Sequence, residues 1–290
     1  MHAAIERLLT RRPVVTDGAW ATQLQARGLR LGESAEAWNL THPDRVAEVA
    51  RAYVAAGSRI ILTNTFAANR LALAKHGLGA QAAQINRRGV QISREAAAGC
   101  ALVFASMGPS GRLLLLEETS KEELAEVFGE QAEALAAGGA DGLVVETMTD
   151  ADEAAIAVRA ACRTGLPVVG CMVFDSGPQR DRTLMGMAPE EAVVVLAEAG
   201  ADVVGSNCGQ GIEGFVPLAR RLCAATDRPV WIKANAGLPV LEAGRTVYRT
   251  TPQEFARHVP ALADAGVSFV GGCCGTTPEF IEHVRAALDS

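Results

Sequence analysis

The chain has 290 residues, a net charge of −6 and 29 glycines, and 49% of its residues are hydrophobic. This composition is typical of a folded globular protein and excludes a disordered or fibrous chain. Acidic residues outnumber basic ones by 33 to 27 and no basic stripe occurs, so we expect no nucleic-acid partner. No signal-peptide core and no apolar run of about eighteen residues are present, which predicts a cytoplasmic protein with no membrane partner.

Eight short apolar runs, each typical of a buried parallel strand, follow one another along the chain. They are residues 13–16, 60–65, 101–106, 143–147, 167–174, 203–208, 229–234 and 269–274. Alanine-rich amphipathic stretches predict helices over residues 43–55, 121–137, 189–198 and 252–264. A glycine expected to end the helix follows each of these four: Gly57, Gly139, Gly200 and Gly266.

The spacing of these units is even, at about 36 residues per unit, and no linker divides the chain. No Gly-x-Gly-x-x-Gly motif opens a helix, which argues against an open dinucleotide-binding sheet. We therefore predict an α/β fold in which residues 1–290 form one domain, a single (β/α)8 TIM barrel. In this fold the active site lies where the carboxyl ends of the strands meet, so the strand ends supply the candidate site residues.

Three of the seven cysteines lie at the ends of the sixth and eighth predicted strands. Cys208 and Cys274 each follow the glycine before their strand by eight residues, so we expect their sulfur atoms at the same height in the barrel. The adjacent Cys273 joins them only if the strand stops there and the chain bends. Three thiolates at an open mouth are the ligand set of a catalytic zinc site with one free position.

We expect core packing for the other four cysteines, Cys100, Cys162, Cys171 and Cys223. One alternative to a catalytic site is a closed zinc site, for storage or structure, in which Cys171 supplies a fourth sulfur. Another is that the three strand-end cysteines are themselves small core residues, although glycines flank the adjacent pair and leave it little to pack against.

Polar residues end the remaining strands as well. Glu146 ends the fourth strand, where a buried carboxylate needs a cationic or hydrogen-bonding partner such as a substrate ammonium group. Asp17 and Gly18 end the first strand, either as a loop whose backbone amides approach a ligand or as a simple turn or helix cap. Lys233 near the end of the seventh strand allows a rival function, in which it is the nucleophile of a Schiff-base enzyme or part of a phosphate-binding barrel. The nearby Asn235 is a candidate for the fourth metal ligand or for a residue that anchors the substrate.

Six motifs at the strand ends carry a resemblance to a known family. They are Asp17-Gly18-Ala19, Thr63-Asn64-Thr65-Phe66, Glu146-Thr147, Asn207-Cys208, Asn235-Ala236-Gly237 and Gly271-Gly272-Cys273-Cys274-Gly275-Thr276-Thr277-Pro278. The chain resembles the homocysteine S-methyltransferases from about Val14 to Arg285, and most of all the homocysteine-binding barrel of cobalamin-dependent methionine synthase.

The resemblance implies an enzyme that methylates zinc-bound homocysteine to form methionine. It implies that Cys208, Cys273 and Cys274 bind zinc, and that the homocysteine sulfur takes the fourth position. In the absence of substrate Asn235 would hold that position, and Glu146 would receive the substrate amino group. The family also implies contacts with the amino-acid end of homocysteine from Asp17, Gly18, Ala19, Ser106 and Thr147.

The methyl donor stays open between a methylcorrinoid protein, S-methylmethionine and a methylated ammonium or sulfonium compound. Betaine-using members of the family place a tyrosine after the Thr-Phe of the second strand and surround the quaternary ammonium group with aromatic rings. Here Ala67 follows Phe66, and both tyrosines, Tyr53 and Tyr248, lie outside the strand ends, so betaine is disfavoured as the donor. The 290 residues include no folate or cobalamin module beside the barrel, so we expect a methylcorrinoid donor to arrive on another protein. The sequence does not decide whether the chain forms a homo-oligomer.

Overall fold

The protein is described here by a computed structural model covering residues 1–242 and 245–289. Its strands are β1 (Val14–Val15), β2 (Ile60–Ile61), β3 (Leu102–Met107), β4 (Gly142–Met148), β5 (Val168–Met172), β6 (Val203–Gly211), β7 (Val230–Asn235), β8 (Val240–Glu242), β9 (Arg245–Val247) and β10 (Phe269–Gly272). Its helices are α1 (Ala3–Leu8), α2 (Ala21–Gln25), α3 (Trp38–Thr41), α4 (Pro43–Ala55), α5 (Arg70–Ala74), α6 (Ala82–Ala97), α7 (Lys121–Ala137), α8 (Ala151–Cys162), α9 (Pro189–Glu198), α10 (Ile212–Ala224), α11 (Pro252–Ala256), α12 (Val259–Asp264) and α13 (Pro278–Asp289). Within these described residues, every helix is too short or too polar to cross a bilayer.

Eight of the strands form one parallel sheet that curves into a barrel. The order is β1-β10-β7-β6-β5-β4-β3-β2, so each strand lies beside its neighbour in the chain apart from the β8–β9 hairpin. A parallel bridge between Thr16 and Ile60 joins the first and last strands of this order and closes the circle. The prediction of a single (β/α)8 barrel is confirmed.

The repeated glycines terminate helices as the sequence predicts. Gly57, Gly139, Gly200 and Gly266 have φ angles of +97°, +92°, +108° and +95°, in the left-handed region that side chains disfavour. Each glycine reverses the chain at the end of a helix and returns it to the sheet. The bounds of α4, α7 and α9 agree with the predicted helices.

The last predicted helix, over residues 252–264, is wrong as a continuous element. It is broken into α11 and α12, with Arg257 and His258 between them. Pro260 lies in the first turn of α12, where a missing N–H costs nothing, but its ring would clash with the carbonyl four residues earlier in an unbroken helix. The hairpin β8–β9, in the connection after β7, was not predicted because its strands have only three residues each.

The hydrophobic core has two layers. The outer layer lies between the strands and the surrounding helices. The inner layer fills the barrel and includes Phe104, Trp231 and Phe269, with the ring centroids of Trp231 and Phe269 5.3 Å apart. Ile5 and Leu8 of α1 belong to this inner layer, so α1 closes the amino-terminal end of the barrel. The opposite end, where the strands finish, stays accessible for a ligand.

The four cysteines expected in the core have different environments. Cys171 is buried in the inner layer, and Cys162 and Cys223 are partly buried against the outer layer. The prediction is wrong for Cys100, which is exposed. It follows Ala98 and Gly99, whose φ angles of +48° and +79° turn the chain outward at the end of α6.

The role of α1 as the closing element leads to a stability prediction. Ile5 is fully buried in the barrel interior, so Ile5→Ala should lower the free energy of unfolding by about 2–5 kcal/mol. Leu31, which is 94% exposed, provides the control, and Leu31→Ala should change the value by less than about 0.5 kcal/mol. Urea denaturation of both variants measures the difference. Equal stabilities would show that α1 does not contribute to the barrel core.

Candidate metal and substrate site

The three strand-end cysteines meet at the mouth of the barrel. The sulfur atoms of Cys208, Cys273 and Cys274 all lie within 4.8 Å of one another, and those of Cys208 and Cys274 are 3.8 Å apart. All three residues are partly buried. Among the described residues they form the one such group of metal-ligating side chains, and Cys171, buried deeper in the barrel, is outside it.

The end of β10 explains how two adjacent cysteines reach the same point. The strand stops at Gly272, and the backbone then bends with Cys273 N donating to Ala234 O over 2.7 Å. Ala236 N donates to Cys274 O over 2.9 Å, so both cysteines are held against the end of β7. Gly275 follows with a φ of +81°, and a Cβ there would lie 2.2 Å from the Tyr248 ring. The adjacent sulfurs therefore converge because the chain is no longer extended.

Cys208 reaches the cluster through a bulge in β6. The register between β6 and β7 shifts between Asn207 and Gly211, and Cys208 has a φ of +63°. A residue with a side chain in this left-handed conformation costs of order 1–3 kcal/mol and persists only where its surroundings enforce it. Bulges of this kind redirect side chains beside active sites. The strain is thus located at a residue whose sulfur faces the other two.

A second bulge lies in β4 beside the first. The register between β4 and β5 shifts between Val145 and Met148, and Thr147 has a φ of +61°. The Asn207 side chain joins the two bulges, because Thr147 N donates to its Oδ1 over 2.8 Å and its Nδ2 donates to Thr147 Oγ1 over 2.7 Å. Asn207 Nδ2 is also 3.9 Å from the Cys273 sulfur. One amide side chain therefore couples the position of β4 to the cysteine cluster.

Glu146 presents a buried carboxylate next to this amide. Ser106 Oγ donates a hydrogen bond to Glu146 Oε1, and Asn207 Nδ2 lies 3.4 Å from Oε2. Burial raises the pKa of Glu146, while the positive charge of Lys233 and the Ser106 hydrogen bond oppose that rise. A cationic ligand group would satisfy this carboxylate further.

Asp17 is fully buried and already has three protein partners. Its carboxylate forms an ion pair with Lys233 Nζ and accepts hydrogen bonds from Leu62 N and Trp20 Nε1, each over 2.7 Å. Asp17 is not among the residues that line the cavity at the barrel mouth. Burial acts to lower the pKa of Lys233, but Asp17 and Glu146 outweigh it and the net shift is upward. A Schiff-base nucleophile requires a neutral amine, so the structure argues against that role for Lys233.

The first loop is held by contacts behind it. Ala19 N donates to Thr276 Oγ1 over 3.1 Å, and Tyr53 Oη donates to Ala19 O over 2.7 Å. A Cβ at Gly18 would lie 2.7 Å from Thr276 Oγ1 and 2.7 Å from Tyr53 Oη, so only glycine allows the loop to pack here. Gly18 and Ala19 then form one wall of the cavity.

The cavity itself has a volume of about 330 Å³. Its polar wall includes the three cysteines, Ser106, Glu146, Thr147 and Lys233, and its apolar wall includes Trp20, Leu62 and Phe66. Asn235 does not line the cavity, but it lies close enough to hydrogen-bond to Cys208. Its Oδ1 is buried and has no hydrogen-bond partner. The predicted substrate contacts are therefore adjacent to the cavity in every case, although Asp17 and Asn235 lie behind its surface.

The three thiols strongly perturb one another. Hydrogen bonds from Cys273 and Cys274 lower the pKa of Cys208 to about 3. The same contact with Cys208 raises the pKa of Cys274 to about 12 and that of Cys273 well above its usual value. Three thiolates at these distances require a positive charge between them.

Two residues of the site escaped the sequence analysis. Asn207 was noted only as part of a motif. Its side chain connects the bulges in β4 and β6, and no pattern in the sequence predicts those bulges. Tyr248 does lie outside the strand ends, as predicted, but its hydroxyl reaches Cys274 from the segment after β9 and hydrogen-bonds to it. Burial, followed by the nearby Cys274 thiol, raises the pKa of Tyr248.

The chain is similar to several known proteins. Residues 14–288 match the sequence profile of the homocysteine S-methyltransferase family. Methionine synthase of Mycobacterium tuberculosis (strain ATCC 25618 / H37Rv) is 33% identical over 97% of this chain, and that of Mycobacterium leprae (strain TN) is 34% identical over 97%. The chain spans only 25% and 24% of the length of these two relatives.

A solved structure is similar over the whole barrel. The metallated form of the homocysteine methyltransferase MmuM from Escherichia coli superposes with a TM-score of 0.81 and 25% sequence identity. The superposition covers 97% of this chain and 99% of that one. Together with the profile match over nearly all of the chain, this likeness shows that the protein belongs to the homocysteine S-methyltransferase family.

Proposed function

We propose that residues 1–290 act as one zinc-dependent barrel that transfers a methyl group to homocysteine and releases methionine. Family membership supports methyl transfer to homocysteine. The observation that carries the finer proposal is the placement of three converging sulfurs and a buried carboxylate in the wall of one cavity. Cys208, Cys273 and Cys274 are the proposed metal ligands, and Glu146 is the proposed partner of the substrate ammonium group.

The donor set fits zinc. Zinc–sulfur bonds of about 2.3 Å place the sulfurs of a tetrahedral site about 3.8 Å apart. The Cys208 and Cys274 sulfurs are separated by 3.8 Å, and the third lies within 4.8 Å of both. The buried Oδ1 of Asn235 lacks a partner beside the cluster, which suits a fourth ligand in the absence of homocysteine. Cys171 is the alternative fourth ligand, but its place in the inner core argues against a closed four-sulfur site.

The residues of the chain then have distinct tasks. When bound, zinc stabilises the thiolate form of homocysteine at neutral pH, so that no general base is needed. Glu146 binds the substrate ammonium, with Ser106 and Asn207 fixing the orientation of its carboxylate. Thr147, Gly18 and Ala19 shape the space around the amino-acid end. Asp17 contributes from behind the wall by anchoring Lys233 and Trp20.

The surface around the mouth favours a methyl donor carried by a protein. Apart from Met1 and Val194, every large apolar side chain that is exposed in the described part of the chain lies in a connection that leads from the end of a barrel strand to the next outer helix: Leu31, Phe66, Leu113, Leu115, Leu116, Leu184, Met185, Leu238, Val240 and Leu241. Exposed apolar residues gathered on one face mark an interaction surface. We therefore place a methylcorrinoid protein first among the donors considered, ahead of S-methylmethionine and other methylated sulfonium or ammonium compounds.

The direct test is a homocysteine methylation assay on zinc-loaded protein. A methylated corrinoid protein, S-methylmethionine, S-adenosylmethionine, dimethylsulfoniopropionate and betaine are supplied separately, and zinc is measured on the same sample. We expect methionine from at least one donor, and none after the metal is removed by chelation. Methionine formation at an equal rate in metal-free protein would refute the proposal.

The first prediction concerns the cysteine cluster. Cys208→Ala, Cys273→Ala and Cys274→Ala should each lose bound zinc and methyl transfer while keeping the circular dichroism spectrum of the barrel, because none of the three belongs to the hydrophobic core. The exposed Cys100→Ala is the matched control and should keep both. Full zinc content in any of the three variants would remove that residue from the ligand set.

The second prediction concerns Glu146. Glu146→Gln removes the negative charge that pairs with the substrate ammonium, so the KM for homocysteine should rise by about 10- to 100-fold while zinc content is unchanged. Because the pKa of Glu146 is raised by burial, acidification should protonate it and raise the wild-type KM before an exposed carboxyl would titrate.

Glu153 supplies the control for this experiment. It is also buried, with a pKa raised by burial, but it lies on α8 and accepts a hydrogen bond from Ser110 N rather than lining the cavity. Glu153→Gln should therefore leave the KM for homocysteine unchanged. An unchanged KM in Glu146→Gln as well would exclude Glu146 from substrate binding.

A further inference from the structure

Lys233 has a position that the proposed mechanism does not yet use. It lies on β7 with only 2% of its side chain exposed, yet it lines the cavity. Among the described residues that line this cavity, Lys233 is the one basic residue, and Glu36 and Glu146 are the two acidic ones. Glu36 is already used by the protein, since it accepts hydrogen bonds from Ser34 Oγ and Ala67 N.

The hydrogen bonds of Lys233 leave part of its ammonium group free. An ammonium group has three N–H donors. In the described residues Nζ has a single hydrogen-bond acceptor, Asp17 Oδ1. Asp17 is itself fixed by Leu62 N and Trp20 Nε1, so the ion pair holds Nζ in place beside the cavity that Lys233 lines. Buried donors without partners are costly, and a ligand group that accepts from them gains affinity.

We propose that Lys233 binds the α-carboxylate of the amino-acid substrate and makes the enzyme selective for thiols that carry one. This inference rests on the proposed function. Glu146 and Lys233 place one negative and one positive charge in the wall of the same cavity. Homocysteine carries an ammonium and a carboxylate on a single carbon, so the two residues match its two charges. A thiol lacking the carboxylate leaves the Lys233 donors unpaired.

Lys233 also neutralises the buried Asp17, and the test separates that structural role from ligand binding. The probes are L-homocysteine and 3-aminopropane-1-thiol, which has the same thiol and amine but no carboxylate. Their dissociation constants are measured by calorimetry on zinc-loaded wild type, Lys233→Met, Lys233→Arg, Asp17→Asn and the double variant Asp17→Asn/Lys233→Met. The double variant removes both charges, so no unpaired carboxylate remains. Lys121→Met, at an exposed lysine paired with Asp152, is the control.

We expect wild type to bind homocysteine about 10- to 100-fold more tightly than the amine, the effect of a charge-assisted hydrogen bond. That ratio should approach one in Lys233→Met and in the double variant, and it should persist in Lys121→Met. It should fall only in part in Asp17→Asn, where Lys233 keeps its charge but loses its anchor, and it should recover in part in Lys233→Arg. A ratio that stays at the wild-type value in the double variant overturns the inference, as does an equal loss for both thiols. If zinc-loaded wild type binds neither thiol, the proposed function fails and this inference fails with it.

Discussion

The mutual repulsion of negatively charged sulfur atoms is the constraint on which the site depends. Three cysteine sulfurs lie within 4.8 Å of one another, so three thiolates at these positions would repel one another strongly unless a positive charge lay between them. A divalent cation at their centre removes this conflict and allows all three to ionise. The strained backbone at Cys208 and the bend after Gly272 bring the three sulfur atoms around that position.

The rest of the mouth is arranged around the cluster by polar side chains rather than by the barrel core. Asn207 links the bulge at Thr147 to Cys273, so the carboxylate of Glu146 and the sulfur atoms cannot move independently. On the other side, the Asp17–Lys233 ion pair joins the segment after β1 to β7. The Asn207 contacts and the Asp17–Lys233 ion pair thus fix groups on two sides of one cavity. A substrate bound between them would be held in one orientation, with its reactive sulfur in a fixed place.

Much of this arrangement could be predicted from the sequence, because the period of the barrel places equivalent residues at equivalent heights. The spacing from the repeated glycines predicted that Cys208 and Cys274 lie close together, and the apolar runs predicted all eight barrel strands. What the sequence could not show depends on local departures from that regularity. The bulges at Thr147 and Cys208 and the approach of Tyr248 to Cys274 arise from tertiary contacts. The break before Pro260 is different, because it follows from the proline itself and was readable from the sequence.

The most direct test is the near-ultraviolet and visible spectrum of the cobalt(II)-substituted protein, titrated with homocysteine. We predict intense sulfur-to-cobalt charge-transfer absorption in the near ultraviolet from three cysteine ligands. We also predict a further change in the spectrum when homocysteine binds, which methionine does not produce. A spectrum that does not change when homocysteine is added would indicate a metal site with no free position. The absence of sulfur-to-cobalt absorption would show that the cysteines do not bind a metal.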